Sequence, residues 1–181
     1  MKAERTVVLP AGERLLIRSL RSDDAPQALY VCRKAAGETL FMTRYPDEWT
    51  IAPDQMRQRL REMELSERAV MLGAFAGKTL CAAAQFSPVH PAQRMSHRAC
   101  VGICVLKEHW HKGVGSAMMG MLIDLARRAG LEQLELDAAA ENVRAQALYR
   151  RFGFCEIGRH PRAFRYRDGS YADVVKMLLE L

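Results

Sequence analysis

The chain has 181 residues, 49% of them hydrophobic and 27% charged, with a formal net charge of +6. That length predicts a single domain, 1–181, able to bury a proper core, and the composition is that of an ordinary globular protein. No apolar run approaches the ~20 residues that cross a bilayer, and the basic residues are spread through the chain without a nucleic-acid module, so neither membrane nor nucleic acid is expected as a partner.

Taken in order, residues 15–20 predict a first strand that begins in the Thr6-Val7-Val8-Leu9 run. Pro10 cuts that run short, leaving no apolar core of a signal peptide. Ser22 reads as a helix N-cap, with two acids in the first turn and Pro26 tolerated that early. The helix runs to about Ala36 and stops at Gly37. Residues 38–50 read as a loop in which Phe41, Tyr45 and Trp49 alternate with charges. They line a pocket or tie the loop to the core. A second helix spans 53–65, with Met56, Leu60 and Met63 on one face. Strands at 70–75 and 79–86 are joined by the Ala76-Gly77-Lys78 hairpin. Residues 87–96 form an irregular link, and 97–106 the next strand.

A helix then begins after Gly115, with Met118, Leu122, Leu125, Ala126 and Ala129 on one face and its end near Gly130. A strand at 134–138, a helix from Asn142 to Phe152 stopped by Gly153, and strands at 154–160 and 171–179 complete the chain. The order is β-α-α-β-β-β-α-β-α-β-β. Its central β-α-β crossover makes two parallel neighbours, while hairpins make the other pairs antiparallel. The fold class is therefore α/β (α+β), a mixed and mostly antiparallel sheet. Cys32, Cys81, Cys100, Cys104 and Cys155 are odd in number, lack a Cys-x-x-Cys pair and sit mostly in apolar runs. They predict free thiols in a reducing, cytoplasmic setting.

The most informative stretch joins the 97–106 strand to its helix: Trp110-His111-Lys112-Gly113-Val114-Gly115-Ser116. Strand, glycine turn and helix N-terminus together make an anion site, because first-turn N–H groups lack intrahelical partners and the helix dipole is positive there. A mononucleotide loop needs glycines five apart before Lys-Ser/Thr, and a dinucleotide fingerprint needs a third glycine where Met118 stands. Neither nucleotide motif fits. A tight turn without ligand is the plain alternative. His109 and His111, with Cys104, leave a third metal ligand unplaced, so no metal is expected.

These residues resemble the GNAT superfamily of acyl-CoA-dependent N-acetyltransferases. The glycine turn is similar to the family's Arg/Gln-x-x-Gly-x-Gly/Ala motif. Asn142, Ala145, Leu148, Tyr149, Gly153 and Phe154 match its Asn-x-x-Ala-x-x-Leu-Tyr-x-x-x-Gly-Phe pattern. Trp110 departs from the usual Arg or Gln. The resemblance implies helices on both faces of the sheet and acetyl-CoA as cosubstrate. Its pyrophosphate would lie on the N–H groups of His111, Lys112, Gly113, Val114, Gly115 and Ser116. Its pantetheine arm would run beside Ile103, Cys104 and Val105, with Asn142 holding an amide.

The implied reaction is attack of a neutral amine on the thioester carbonyl. By the same resemblance, the Val105 N–H would stabilise the oxyanion and Tyr149 would protonate the leaving thiolate. Structural alternatives stand beside these roles: Tyr149 as a core anchor, Asn142 as an N-cap, Ser116 as a helix residue. Glu38, His97, Asp137, Glu141 and Asp173 are candidates for the base. The expected activity is acetyl transfer to a primary amine of a small molecule in a ternary complex. A protein or peptide acetyltransferase and a non-catalytic acyl-CoA-binding protein are the alternatives. A homodimer is also consistent with the family. A closed pocket between residues 38–50 and the last hairpin would favour a small amine, and a long open groove a peptide.

Overall fold

In the computed structural model, which describes residues 2–181, eight strands and four helices follow in the order β1 (Glu4–Val8), β2 (Arg14–Ser19), α1 (Ala25–Glu38), α2 (Pro53–Leu65), β3 (Val70–Ala76), β4 (Thr79–Pro88), β5 (Arg98–Val105), α3 (Val114–Arg128), β6 (Gln133–Ala139), α4 (Val143–Arg151), β7 (Cys155–Arg165) and β8 (Tyr171–Glu180). The first predicted strand is two strands. Pro10 carries no N–H to continue a ladder, and Gly12 at φ +85° turns the chain back, so β1 pairs antiparallel with β2. Gly37 does not end α1, which continues to Glu38. A β-carbon at Gly37 would lie 3.4 Å from Pro46 Cγ, so this glycine serves close packing of the following loop. β7 extends past its predicted end at 160, through an irregularity between His160 and Phe164 where Arg162 takes φ +52°.

Ser22 is not the cap of α1. Residues Ser22–Asp24 form a 3₁₀ turn, and the Asp24 carboxylate accepts the Arg21 N–H at 2.7 Å. The Arg18 guanidinium grips the same carboxylate at 2.7 and 2.8 Å. Burial opposes the Asp24 charge, but these donors outweigh it and hold the carboxyl below its usual range. A lowered folded-state value stabilises the fold above the unfolded value and is lost as pH falls through the folded one. Charged hydrogen bonds of this kind are worth about 1.5–3 kcal/mol, discounted here for partial exposure. Asp24→Ala should therefore lower Tm at neutral pH by about 4–8 °C. In a thermal melt series, the gap from wild type should close in acid, where Asp24 is protonated in both states.

The sheet order is β1-β2-β3-β4-β5-β6-β8-β7. Every pairing is antiparallel except β5 with β6, and that pair holds register only from Arg98 to Cys100 against Gln133 to Glu135. Beyond Cys100 the two strands separate and leave a fork in the middle of the sheet. Apolar side chains cover both faces. Val101, Ile103 and Val105 of β5 point to the cluster formed by Met118, Leu122, Tyr149 and Phe154 of α3, α4 and the chain after it. The opposite face of the sheet meets α1 and α2 through Ala28, Val31, Cys32, Met56 and Leu60. The strict alternation of β5 thus sends Cys100, Gly102 and Cys104 toward the α1/α2 side.

Candidate active site

The fork has a defined polarity. Leu106 N–H donates to the Cys81 carbonyl of β4 at 3.0 Å. Alternation along the strand turns the backbone groups of Cys104 to β4 as well, opposite Ala83, and those of Ile103 and Val105 to the other edge. On that edge β6 has already moved away. The Val105 carbonyl receives the Trp110 indole N–H at 2.7 Å. The Val105 N–H and both Ile103 groups are left facing the cleft. Trp110, the departure from the sequence pattern, thus closes the last carbonyl of β5. The Arg144 guanidinium stacks on its other side, 3.7 Å from the ring centroid.

Below Trp110 the chain turns into α3. His111 stands at φ +62° and Gly113 at φ +91°, so the turn folds its amides inward. The first intrahelical bond at this end runs from the Ala117 N–H to the Gly113 carbonyl. The N–H groups of Val114, Gly115 and Ser116 therefore have no partner within the helix. Arg151 of α4 donates to the Ser116 hydroxyl and adds a positive charge beside these amides. A β-carbon at Gly113 would lie 3.1 Å from Pro10 Cδ, whereas one at Gly115 would face Leu148, Val105 and Ile103. Gly113 shapes the turn, and Gly115 leaves room inside the cleft.

A cavity of about 1110 Å³ connects these parts. Ile103, Cys104, Val105, His111, Gly113, Val114, Gly115, Ser116, Asn142 and Tyr149 all line it. Lys112 is exposed on the outside of the turn and does not line it. Cys104 forms only a wall, since its backbone faces Ala83 and its thiol meets the Cys32 thiol on α1. That neighbouring thiol, and then burial, push the Cys104 thiol well above its usual range. Asn142 caps α4, its side-chain oxygen accepting the Ala145 N–H at 3.2 Å. Tyr149 is buried against Phe154, with ring centroids 5.9 Å apart, and desolvation pushes its phenol up to about 12. It keeps its proton across the physiological range.

Of the five candidate bases, Asp137 lines the cavity. Glu38 instead accepts the Lys107 N–H at 2.6 Å. Asp173 receives Arg159 and the Arg162 N–H, both at 2.8 Å. Glu141 and His97 do not line the cavity. The aromatic loop does both things weighed for it: Phe41, Met42 and Thr43 line the cavity, while Trp49 packs on the α1/α2 core. Sequence reasoning passed over Arg144, Arg151 and Gln146. Gln146 is 5% exposed and donates to the Ala139 and Ala140 carbonyls at 3.1 and 2.9 Å, fixing α4 to the end of β6. A polar residue on the buried face of an amphipathic helix was the available signal.

The mixed sheet, forked at its one parallel pair with a helix N-terminus at the fork, superposes on solved acetyltransferases. The chain superposes on an acetyltransferase of the GNAT family from Streptococcus pneumoniae with a TM-score of 0.89 and 24% identity, over 92% of this chain and 99% of that one. It also superposes on yncA from Salmonella typhimurium, solved with its cofactor acetyl-CoA, with a TM-score of 0.82 and 20% identity, over 92% and 94%. In sequence it is 32% identical over 90 residues to the L-amino acid N-acetyltransferase AaaT of Escherichia coli (strain K12). That match spans about half of either protein, 49% of this chain and 55% of the relative. The family model described as Acetyltransferase (GNAT) family matches residues 35–154, and the chain belongs to that family.

Proposed function

We propose that this protein is an N-acetyltransferase that moves an acetyl group from acetyl-CoA to a primary amine of a small molecule, by direct attack within a ternary complex. The observation that supports this best is the forked cleft: unpartnered helix N–H groups at one end and free β5 backbone groups along it. Residues 38–50 and the last hairpin, whose separation distinguishes a pocket from a long groove, are joined by an ion pair. Arg167 in the turn between β7 and β8 pairs with Asp47 at 2.6 and 2.7 Å, and its N–H reaches Tyr45 Oη at 3.0 Å. The likeness to an L-amino acid N-acetyltransferase agrees with a small acceptor.

The residues fit the cosubstrate. The amides of residues 113–116, with Arg151 beside them, suit a pyrophosphate. Ile103 offers a donor and an acceptor to an amide-bearing arm, and the Asn142 amide lies on the opposite bank. When bound, acetyl-CoA supplies an activated acyl carbon and a thiolate leaving group. The Val105 N–H then stands where the carbonyl oxygen gains charge. Tyr149, protonated and buried, donates to the departing sulfur. Asp137 takes the proton from the incoming ammonium, directly or through water, so that the free amine attacks. Five free cysteines support a reducing, cytoplasmic setting.

The test is a panel of primary amines with acetyl-CoA, read by free thiol and by mass spectrometry of the amine. One acetylated amine per thiol released is the expected result. Tight coenzyme A binding with no amine acetylated would leave a non-catalytic acyl-CoA-binding protein instead.

A further inference from the structure

Resting on the reading above for its effect on transfer, we infer that Cys32 of α1 and Cys104 of β5 form an oxidation site, a thiol pair that a peroxide closes to a disulfide and that arrests acetyl transfer when closed. Cys32, Ala35 and Thr39 follow one another at i, i+3 and i+7, and so lie on one stripe of α1 and its C-cap. Ala35 and Thr39 line the cavity, and Cys32 lies one turn before Ala35, 5% exposed. Facing this stripe is β5, whose Cys104 is half-buried, lines the same cavity and packs on the core cluster that holds Cys32. The two thiols are hydrogen-bond neighbours. Acetyl transfer uses neither of them.

The five cysteines sit in different surroundings. Cys81 is buried, and its thiol donates to the Ala74 carbonyl at 3.2 Å. Cys100 and Cys155 are exposed. Cys32 and Cys104 bring two sulfurs together beside a cavity that a molecule as small as hydrogen peroxide can enter. The Cys104 thiol, donating to the Cys32 sulfur, holds Cys32 below its usual range against burial, with help from the Arg59 charge. Cys32 is thus the nucleophile of the pair. Its thiolate attacks one oxygen of the peroxide, the O–O bond breaks, and hydroxide leaves and gains a proton to become water. Cys32 is then a sulfenic acid. The Cys104 sulfur displaces the sulfenic hydroxyl, which departs with the Cys104 proton as a second water. Two thiols are oxidised to one disulfide while one peroxide is reduced to two waters. The new bond ties α1 to β5 between Ile103 and Val105, whose amides face the cleft. A displacement of about 1 Å in such a site costs about a hundredfold in rate. In a reducing setting the bond is transient, and thiols reopen it.

The experiment treats the full chain with hydrogen peroxide, alkylates the remaining thiols under denaturing conditions, and maps disulfide-linked peptides by mass spectrometry without reduction. Acetyl transfer is followed in parallel, before and after dithiothreitol. A peptide linking Cys32 to Cys104 within one chain is the expected product. Transfer should fall at least about tenfold as the link forms and recover with dithiothreitol. C32A should transfer as wild type does and keep that rate through the peroxide treatment. Cys32 and Cys104 that stay open to alkylation while Cys100 or Cys155 is oxidised overturn the site. So does a link that leaves the rate unchanged, or a C32A that loses its rate as wild type does. A reduced protein that acetylates no amine overturns the functional reading instead, before any peroxide is added, and the linked peptide alone then decides the thiol pair.

Discussion

Tyr149→Phe is expected to lower kcat about a hundredfold at neutral pH while coenzyme A still binds, as removal of a general acid does. Tyr149 sits two helical turns after Asn142 on α4, is 8% exposed, and lines the cavity between α4 and β5. Burial disfavours the phenolate and pushes the phenol up to about 12, so the proton is held where a departing thiolate requires it. Because the group stays protonated until the pH approaches about 12, an alkaline fall in wild-type kcat at lower pH belongs to another group and should persist in the variant. A kcat unchanged in Tyr149→Phe would make the tyrosine a core anchor against Phe154. The variant retains that ring contact, so its Tm should hardly move. Stopped-time assays with saturating amine and acetyl-CoA separate kcat from KM here.

Gly115→Val is expected to weaken coenzyme A at least about tenfold with little loss of stability, which is about 1.4 kcal/mol of binding. One added carbon at Gly115 is tolerable, 3.4 Å from Leu148 Cδ2 and 3.9 Å from Val105 Cγ2. The two further methyls of valine must then occupy space between β5 and α4. Gly113→Ala makes the contrast. Its β-carbon would crowd Pro10 Cδ at 3.1 Å, and φ +91° is a conformation that costs an L-residue about 1–2 kcal/mol. The Gly113 variant should thus lose melting temperature first, and the Gly115 variant affinity first. Calorimetric titration beside thermal melts checks the pair, and the reverse pattern would exchange the roles of the two glycines.

Local chemistry made much of this architecture legible. Alternation in β5, the helical face of α3 and the glycines flanking Val114 are short-range signals, and the crossover of β5, α3 and β6 follows from connectivity. The β1–β2 hairpin is not evident from Pro10 alone, which reads as an interruption of one strand; the turn also needs the positive φ of Gly12. Ser22 is a good capping residue by type, but it opens the 3₁₀ turn before α1, and the Asp24 carboxylate is taken by the Arg21 N–H and by Arg18, a partner supplied by β2, so no side chain caps α1. Long-range contacts are where sequence reasoning stops. Nothing local links Arg167 to Asp47, 120 residues away, or Trp110 to the carbonyl of Val105 in preference to a ligand. The separation of β5 from β6 after three paired residues likewise has no local signal in either strand.

In the proposed reading, coenzyme A lies in the fork with its pyrophosphate on the first turn of α3. Amide NMR during titration with coenzyme A tests it most directly. The N–H resonances of Val114, Gly115, Ser116, Ile103 and Val105 should shift together with one saturation curve, while the Trp110 indole N–H, bonded to Val105, stays close to its starting position. Saturable binding that leaves the 113–116 amides and the Ile103 and Val105 amides unmoved would contradict it.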